Sequence, residues 1–529
     1  MSTQAAALNA PPPDLAVSRD RVLRIALFVG WCALTLWLAS HHVFWRDEVR
    51  ALSIALAGDD LPAMLRGLQG EGHPALWYLL LRGGYALTGM REVLPALAWI
   101  ISAAAMAILV WRAPFRVGTI AIILFGFFGA FDYAVVARNY GISMLILFTI
   151  TSLYSRHRDR GLLIGFLLAL LCNTNVHANF LAAALLGFWL VELISEEGFR
   201  WTRKHWLWSA NAAVAALGAL LCFLMVYPPA HDAASASVAN NTFASALQAV
   251  LSPAQSFDEL VPPQLPAHPL VWAPMSLLLF GAVLGLLRRP AAFLAALGVL
   301  ICLCLFFHLV YPGYHRHQAL FLIFLVSLYW LAAEGRGGQW PERWPAAHLE
   351  RAAGLGAIAF CGLLLLQVAT SVAVIQLQIS GVPYSRSRDL AELLRREELS
   401  EAILMADEDV MVEPMPYYGD NPLYLPRERR FGSVFAFDRH PRNHLTLDDL
   451  LGDARALRDR YRRPVVLLLR SRPNPNDPAR HMKMLQTASF AVTPEQVARL
   501  QAETRLLASF GPALNDETYD VYLLDGPTD

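Results

Sequence analysis

Lysine is almost missing from this 529-residue chain: only Lys204 and Lys483 occur, and every other basic residue is an arginine. Charge of either sign is scarce. Asp, Glu, Lys and Arg make up 16% of the residues and cancel to a formal net charge of zero, whereas an ordinary soluble domain carries about 25% charged residues. With the charges cancelling, composition gives no argument for binding a polyanion, and no nucleic-acid partner is expected. The six cysteines, Cys32, Cys172, Cys222, Cys302, Cys304 and Cys361, all lie in apolar runs. None falls in the polar C-terminal third, which excludes a disulfide framework or a thiolate metal site there. A glycine-rich nucleotide loop, a paired-cysteine metal motif and a Gly-x-Ser-x-Gly elbow are all missing, so a nucleotide-driven mechanism has no support.

What is abundant is hydrophobic sequence, at 56% of the residues. Apolar runs recur near 22–39, 74–90, 93–111, 117–136, 139–154, 161–173, 177–194, 206–227, 270–287, 291–311, 318–333 and 352–378. A run that long matches a helix crossing about 30 Å of hydrocarbon at about 1.5 Å per residue. The fold expected is a polytopic α-helical membrane protein of about 11–13 membrane helices. Residues 1–20, with Pro11-Pro12-Pro13, read as a disordered cytoplasmic tail, and residues 21–380 as the membrane domain.

Loop charge orients the helices. Arg112 and Arg116, then Arg156, Arg158 and Arg160, then Arg200, Arg203 and Lys204, then Arg288 and Arg289, then Arg336, Arg343 and Arg351 fall in alternate loops, while 228–269 has neither Lys nor Arg. Positive loops stay in the cytoplasm. The chain after 380, the external loops 41–72 and 228–269, and the polar turns at 138–140, 173–177 and 311–317 are therefore expected outside. Two crossings between 73 and 111 would invert everything downstream. The charge pattern thus asks for an odd number there, with 73–90 partly interfacial or re-entrant and buried against protein. From about Gly381 the composition becomes soluble. Ser387 is a plausible N-cap for a charged helix, 402–405, 465–469 and 519–524 read as strands, and 446–461 and 494–507 as helices. That makes 381–529 an extracytoplasmic α/β domain.

The candidate site residues cluster on the external side. Asp47 and Glu48 follow the first apolar run between Arg46 and Arg50. Ionisable groups held beside a bilayer are costly and mark function. Two roles fit Asp47: a general base kept ionised by its arginines, or the N-cap of a helix from Glu48 to Ala57. His73-Pro74 opens the next helix and could bind a phosphate oxygen or shuttle a proton. Arg82, in mid-helix, needs a partner. Arg138 and Tyr140 begin one helix, and His315 and Arg316 another. Each arginine there could grip a phosphate in bidentate fashion or only snorkel at a helix end. Asn173, Asn175, His177 and Asn179 line a cavity or cap helix ends. The trio Asp407-Glu408-Asp409 reads as a solvated edge, and Tyr417-Tyr418-Gly419-Asp420-Asn421-Pro422 as a turn or a sugar-stacking segment.

These motifs together resemble the GT-C superfamily of membrane glycosyltransferases. Within it the chain is most similar to bacterial relatives of protein O-mannosyltransferases and of the aminoarabinose transferases that modify lipid A. The resemblance rests on Asp47-Glu48 in the first external loop, on His73-Pro74-Ala75-Leu76-Trp77-Tyr78, on Ala137-Arg138-Asn139-Tyr140 and on Arg316, and it covers roughly 20–335. Ala75 departs from it by replacing a second proline, and 381–529 matches no module of the family. The resemblance implies transfer of a hexose or pentose from a polyprenyl-phosphate donor in the inner membrane of a bacterium. The acceptor, whether glycan, lipid or protein, would lie on the extracytoplasmic face. It implies Asp47 as the catalytic carboxylate with Glu48 in support, and His73 and Arg316 near the carrier phosphate; Arg46, Arg82, Arg138, Tyr140 and His315 complete the set expected around the lipid phosphate and sugar. Some relatives hold a divalent metal in such loops. With one acidic pair here, no metal or other cofactor is expected to be required. A transporter or flippase of lipid-linked sugar would also use intramembrane arginines, although its sites lie near the midplane. A non-catalytic assembly subunit of envelope glycan synthesis is the third reading.

Overall fold

The computed structural model describes residues 13–229, 232, 242–260, 268–340, 346–438, 442–476, 480–481 and 488–526. The first part of the expected tail and much of the expected loop 228–269 lie outside them. The membrane part contains α1 (Pro13–His41), α2 (Arg46–Leu56), α3 (Leu61–Gly67), α4 (Leu76–Thr88), α5 (Val93–Arg112), α6 (Val117–Leu124), α7 (Tyr140–His157), α8 (Leu163–Cys172) and α9 (Ala178–Glu197). It continues with α10 (Arg203–Val226), α11 (Phe243–Leu251), α12 (Pro269–Leu284), α13 (Pro290–Leu309), α14 (His315–Ala333) and α15 (Ala346–Ile379). Among the described residues, seven helices are long and apolar enough to cross a membrane: α1, α5, α9, α10, α13, α14 and α15. The chain is a multi-pass helical membrane protein.

The other apolar runs form shorter helices, and the reasons are local. α4 has 13 residues, about 20 Å of helix, which is too short to cross. The 117–136 run breaks after Leu124 because Phe128–Asp132 turns in a π-helical ring against α1. Gly129 permits that turn. A Cβ there would lie 2.6 Å from the Ile123 carbonyl oxygen, and the Gly129 carbonyl accepts the Trp31 indole N–H at 3.1 Å. α14 is the buried centre of the bundle, sealed from Leu320 to Leu328 and packed on α7 and α13. α12 and α15 touch backbone to backbone, so that a Cβ on Gly356 would run into the Gly285 nitrogen. Small residues at such crossings let helices approach closely in lipid.

After Gly381 come α16 (Ser387–Arg396), α17 (Met415–Tyr418), α18 (Leu447–Tyr461) and α19 (Pro494–Glu503). With them lie β1 (Ile403–Asp407), β2 (Leu423–Leu425), β3 (Arg430–Phe431), β4 (His444–Thr446), β5 (Val465–Leu469), β6 (Arg480–His481), β7 (Ser489–Ala491), β8 (Arg505–Phe510) and β9 (Tyr519–Leu524). The main sheet runs β3-β2-β1-β5-β9-β8, with β1 parallel to β2 and β5, and β9 antiparallel to β5 and β8. Alternation along the strands builds two cores. Leu404, Ala406, Val466 and Leu468 pack with Leu390 and Leu394 of α16, while Ile403, Met405, Val465 and Leu467 pack with Leu450, Leu451 and Leu500 of α18 and α19. Period-two side chains placed between helices on both faces give a layered α/β domain.

Two expectations are corrected here. The helix expected over 494–507 ends at Glu503, because Arg505–Phe510 finds an antiparallel partner in β9. Asp407 and Asp409 are buried rather than solvated: Arg427, itself buried, donates to Asp407 at 2.7 Å and to Asp409 at 2.5 Å.

Candidate active site

The segment 42–45 leaves α1 without regular structure, and Trp45 takes an extended conformation before α2 begins. A helix start exposes unpaired N–H groups. Here the Glu48 carboxylate turns back to accept the Trp45 N–H at 3.1 Å. Its oxygens also meet His42 Nε2 at 2.9 Å and accept the Ala137 N–H at 2.6 Å. Glu48 is fully buried. The capping role weighed for Asp47 thus belongs to its neighbour, and Glu48 supports the site from behind. By fixing Ala137 it also places Arg138, the next residue.

Asp47, one residue earlier, keeps a side chain 26% exposed. Arg316 Nη2 donates to its carboxylate at 3.1 Å, and Arg138 Nη2 lies 3.9 Å away. A second Arg138 nitrogen donates to the Asp47 carbonyl. Burial alone would raise the Asp47 pKa. The guanidiniums of Arg138 and Arg316, with Arg46 and Arg50 behind them, outweigh it and hold the carboxyl below its ordinary value. The Arg138 and Arg316 Nε atoms are buried without a hydrogen-bond partner among the described residues. Both arginines therefore keep donor capacity beyond Asp47.

His73 completes this cluster. Its Nδ1 donates to the Glu71 carbonyl at 3.0 Å, which leaves Nε2 as the acceptor. Arg138 Nη2 stands 3.3 Å from Nε2, and the Tyr140 hydroxyl 3.4 Å from it. Burial, reinforced by Arg138, lowers the His73 pKa to about 3. Arg316 is stacked between Trp45 and Tyr314, its guanidinium carbon 5.2 Å from each ring.

The structure thus gathers Asp47, His73, Arg138, Tyr140 and Arg316 into one place and sends three expected residues elsewhere. Arg82 donates to the carbonyls of Ala55, Ala57 and Gly58, capping the far end of α2. His315 faces inward, 2.9 Å from Asp132 and 2.8 Å from Gln367. Arg46 points to the C-terminal domain, where Asp516 accepts two bonds at 2.7 and 3.0 Å. Arg46 therefore acts on Asp47 through its charge and not by contact. Asn173 and Asn179 spend their amides on backbone carbonyls, while Asn175 donates to the Ser143 hydroxyl at 2.8 Å and its side-chain carbonyl oxygen accepts the Ala178 N–H at 2.9 Å. Sequence reasoning passed over His317, whose ring lies 5.2 Å from Tyr140 and 4.7 Å from His177. The His-x-His spacing at 315 and 317 was the available signal.

No protein-family model matches the chain, and no curated protein matches it by sequence. Two solved structures are similar in overall path. One is ArnT from Cupriavidus metallidurans bound to undecaprenyl phosphate, with 14% identity, a TM-score of 0.47, and coverage of 96% of this chain and 99% of that one. The other is the same protein in the apo state, with 15% identity, a TM-score of 0.46, and coverage of 97% and 100%. Among the described residues no group of three or more His, Cys, Asp and Glu side chains could hold a metal ion. What the site can do follows from its side chains: one ionised carboxylate, two arginines with unused donors, and a neutral imidazole that accepts from one of them.

Proposed function

We propose that this chain is a glycosyltransferase that moves a sugar from a polyprenyl-phosphate donor to an acceptor on the extracytoplasmic face of a bacterial inner membrane. One observation carries the reading. An ionised carboxylate sits between two arginines that keep free donors, where a membrane helix has just ended. A phosphate placed on Arg138 and Arg316 would put its sugar's anomeric carbon beside Asp47.

The chemistry then follows. The acceptor oxygen forms a bond to the anomeric carbon as the bond from that carbon to the phosphate oxygen breaks. The hydroxyl proton passes to Asp47 and on to solvent, and the carrier leaves as polyprenyl phosphate. Negative charge grows on the leaving phosphate, and fixed guanidiniums stabilise charge where it develops. A carboxylate held below its ordinary pKa is a weak base, but the attacking hydroxyl becomes strongly acidic only as its new bond forms, so a weak base suffices. His73, neutral, steadies Arg138 by accepting from it. The alternation of arginine-rich loops supports an external C-terminal domain, and the resemblance noted from the sequence supports the donor class.

The test uses purified protein in lipid nanodiscs with undecaprenyl phosphates carrying glucose, mannose or aminoarabinose, presented with candidate acceptors. Native turnover that falls at least about 100-fold in Asp47→Asn, with binding of bare undecaprenyl phosphate retained, is the expected result. Equal turnover by both proteins would remove Asp47 from the chemistry. Movement of intact donor across the bilayer without its consumption would replace the transferase by a transporter.

A further inference from the structure

The stretch that aims Asp47 has no regular secondary structure of its own, yet its backbone is not free. The His42 carbonyl accepts from Arg388 at 2.6 Å. The Phe44 N–H donates to the Tyr418 hydroxyl at 2.8 Å, and the Phe44 carbonyl accepts from the Ser387 hydroxyl at 2.6 Å. The Arg46 N–H donates to Glu517 at 2.7 Å. All four partners belong to the C-terminal domain, more than 340 residues away in sequence. They are also tied to one another. Glu517 accepts the Ser385 hydroxyl at 2.5 Å, and that hydroxyl accepts the Ser387 N–H at 3.1 Å.

Buried backbone groups must be paired, so removing one of these partners unsettles the backbone group it held. We infer that the C-terminal domain is the template on which the carboxylate-bearing segment takes its shape, with Ser387, Arg388, Tyr418 and Glu517 as positioning residues for Asp47. A separate contact reaches Arg316, one that does not pass through Tyr418 or Ser387. Asp516 holds Arg46, Arg46 lies over one side of Trp45 at 5.2 Å, and Arg316 stacks on the same ring at 5.2 Å. The domain thereby fixes both the carboxylate and one of the arginines beside it.

The inference builds on the transferase reading, and its test separates the two. Tyr418→Phe and Ser387→Ala, singly and together, are compared with the native chain in nanodiscs by hydrogen exchange and by turnover. The peptide covering 42–50 is expected to exchange about 10-fold faster, while peptides over β1 and β5 are unchanged. Turnover is expected to fall about 10-fold, since misplacing a reacting group by about 1 Å can cost 100-fold, with the affinity for bare undecaprenyl phosphate unchanged. On an Asp47→Asn background the same substitutions should cost nothing further, because groups that act through one residue are not additive. Unchanged exchange at 42–50 would overturn the inference. So would faster exchange throughout the C-terminal sheet, or losses that add to that of Asp47→Asn. If the native chain transfers no sugar, the transferase reading fails, and the exchange result alone decides the positioning role.

Discussion

Adjacent carboxylates on a helix point about 100° apart, and that rotation divides the work of Asp47 and Glu48. Asp47 stays partly exposed and meets its arginines. Glu48 meets three backbone or ring donors in a sealed pocket. Glu48→Gln should therefore behave as a folding lesion. Its amide nitrogen would face a donor whichever way it turned, at a cost of about 1–3 kcal/mol for an unmet buried group, seen as a lower Tm in detergent. His73 gives a pH-dependent prediction. Its folded pKa, about 3, lies below the ordinary value of about 6.5, so the native state resists protonation. Its stabilising contribution is complete above pH 6.5 and is lost as pH falls from there toward 3. His73→Gln, which keeps an acceptor toward Arg138 and cannot titrate, should flatten that acid limb when Tm is followed against pH. An unaltered limb would place the proton uptake elsewhere.

At the scale of elements, the arginine inside a short apolar helix proves to be a cap for another helix. Arg82 faces the carbonyl end of α2, where a cation offsets the helix dipole by up to about 2 kcal/mol. Arg82→Met should lower Tm modestly and leave the affinity for undecaprenyl phosphate unchanged. A loss of carrier affinity would return Arg82 to the site. Gly129→Ala should be harsher. The added Cβ meets backbone oxygens of Ile123 and Leu124 at 2.6 and 2.9 Å, and relieving such crowding typically costs about 1–3 kcal/mol. What could be read from sequence follows the same division. Apolar runs and strand alternation are local patterns, so the spans and β1, β5 and β9 were legible. The pairing of Arg427 with Asp407 and Asp409 was not, because nothing local distinguishes a solvated acidic edge from one that a distant arginine will cover. Nor was the strand at Arg505–Phe510, whose helical periodicity lost to an available edge on β9. For the site, Asp47 and His73 stood out as motifs. The backbone contacts made by Ser387, Tyr418 and Glu517 lay in a domain whose own pattern pointed only to a soluble fold.

For the whole molecule, the joint between the membrane part and the C-terminal domain is built of buried acids facing arginines. Glu413 accepts Arg50 at 2.5 Å and the Phe435 N–H at 2.8 Å, and Glu71 shares Arg50 with it. Glu517 accepts the Arg46 N–H and the Ser385 hydroxyl. Burial pushes Glu413 up to about 7 against the pull of Arg50, and Glu517 up to about 8 against that of Arg46. Both values exceed the ordinary glutamate value of about 4.3, so between that value and the folded one the native state binds more protons than the unfolded chain. Stability from these two groups is then complete below about pH 4.3 and declines as pH rises through 7 and 8. This slope opposes that of His73 wherever the two windows overlap, so the native protein alone cannot separate them. Glu517→Gln removes one titrating group while keeping an acceptor for Arg46. Relative to the native chain, its Tm should fall less between pH 6 and 8, with the His73 limb at lower pH unchanged. An identical slope in both proteins would mean that Glu517 stays ionised against Arg46 across that range. The joint would then be a permanent ion-pair clamp on the segment that carries Asp47, its strength independent of pH.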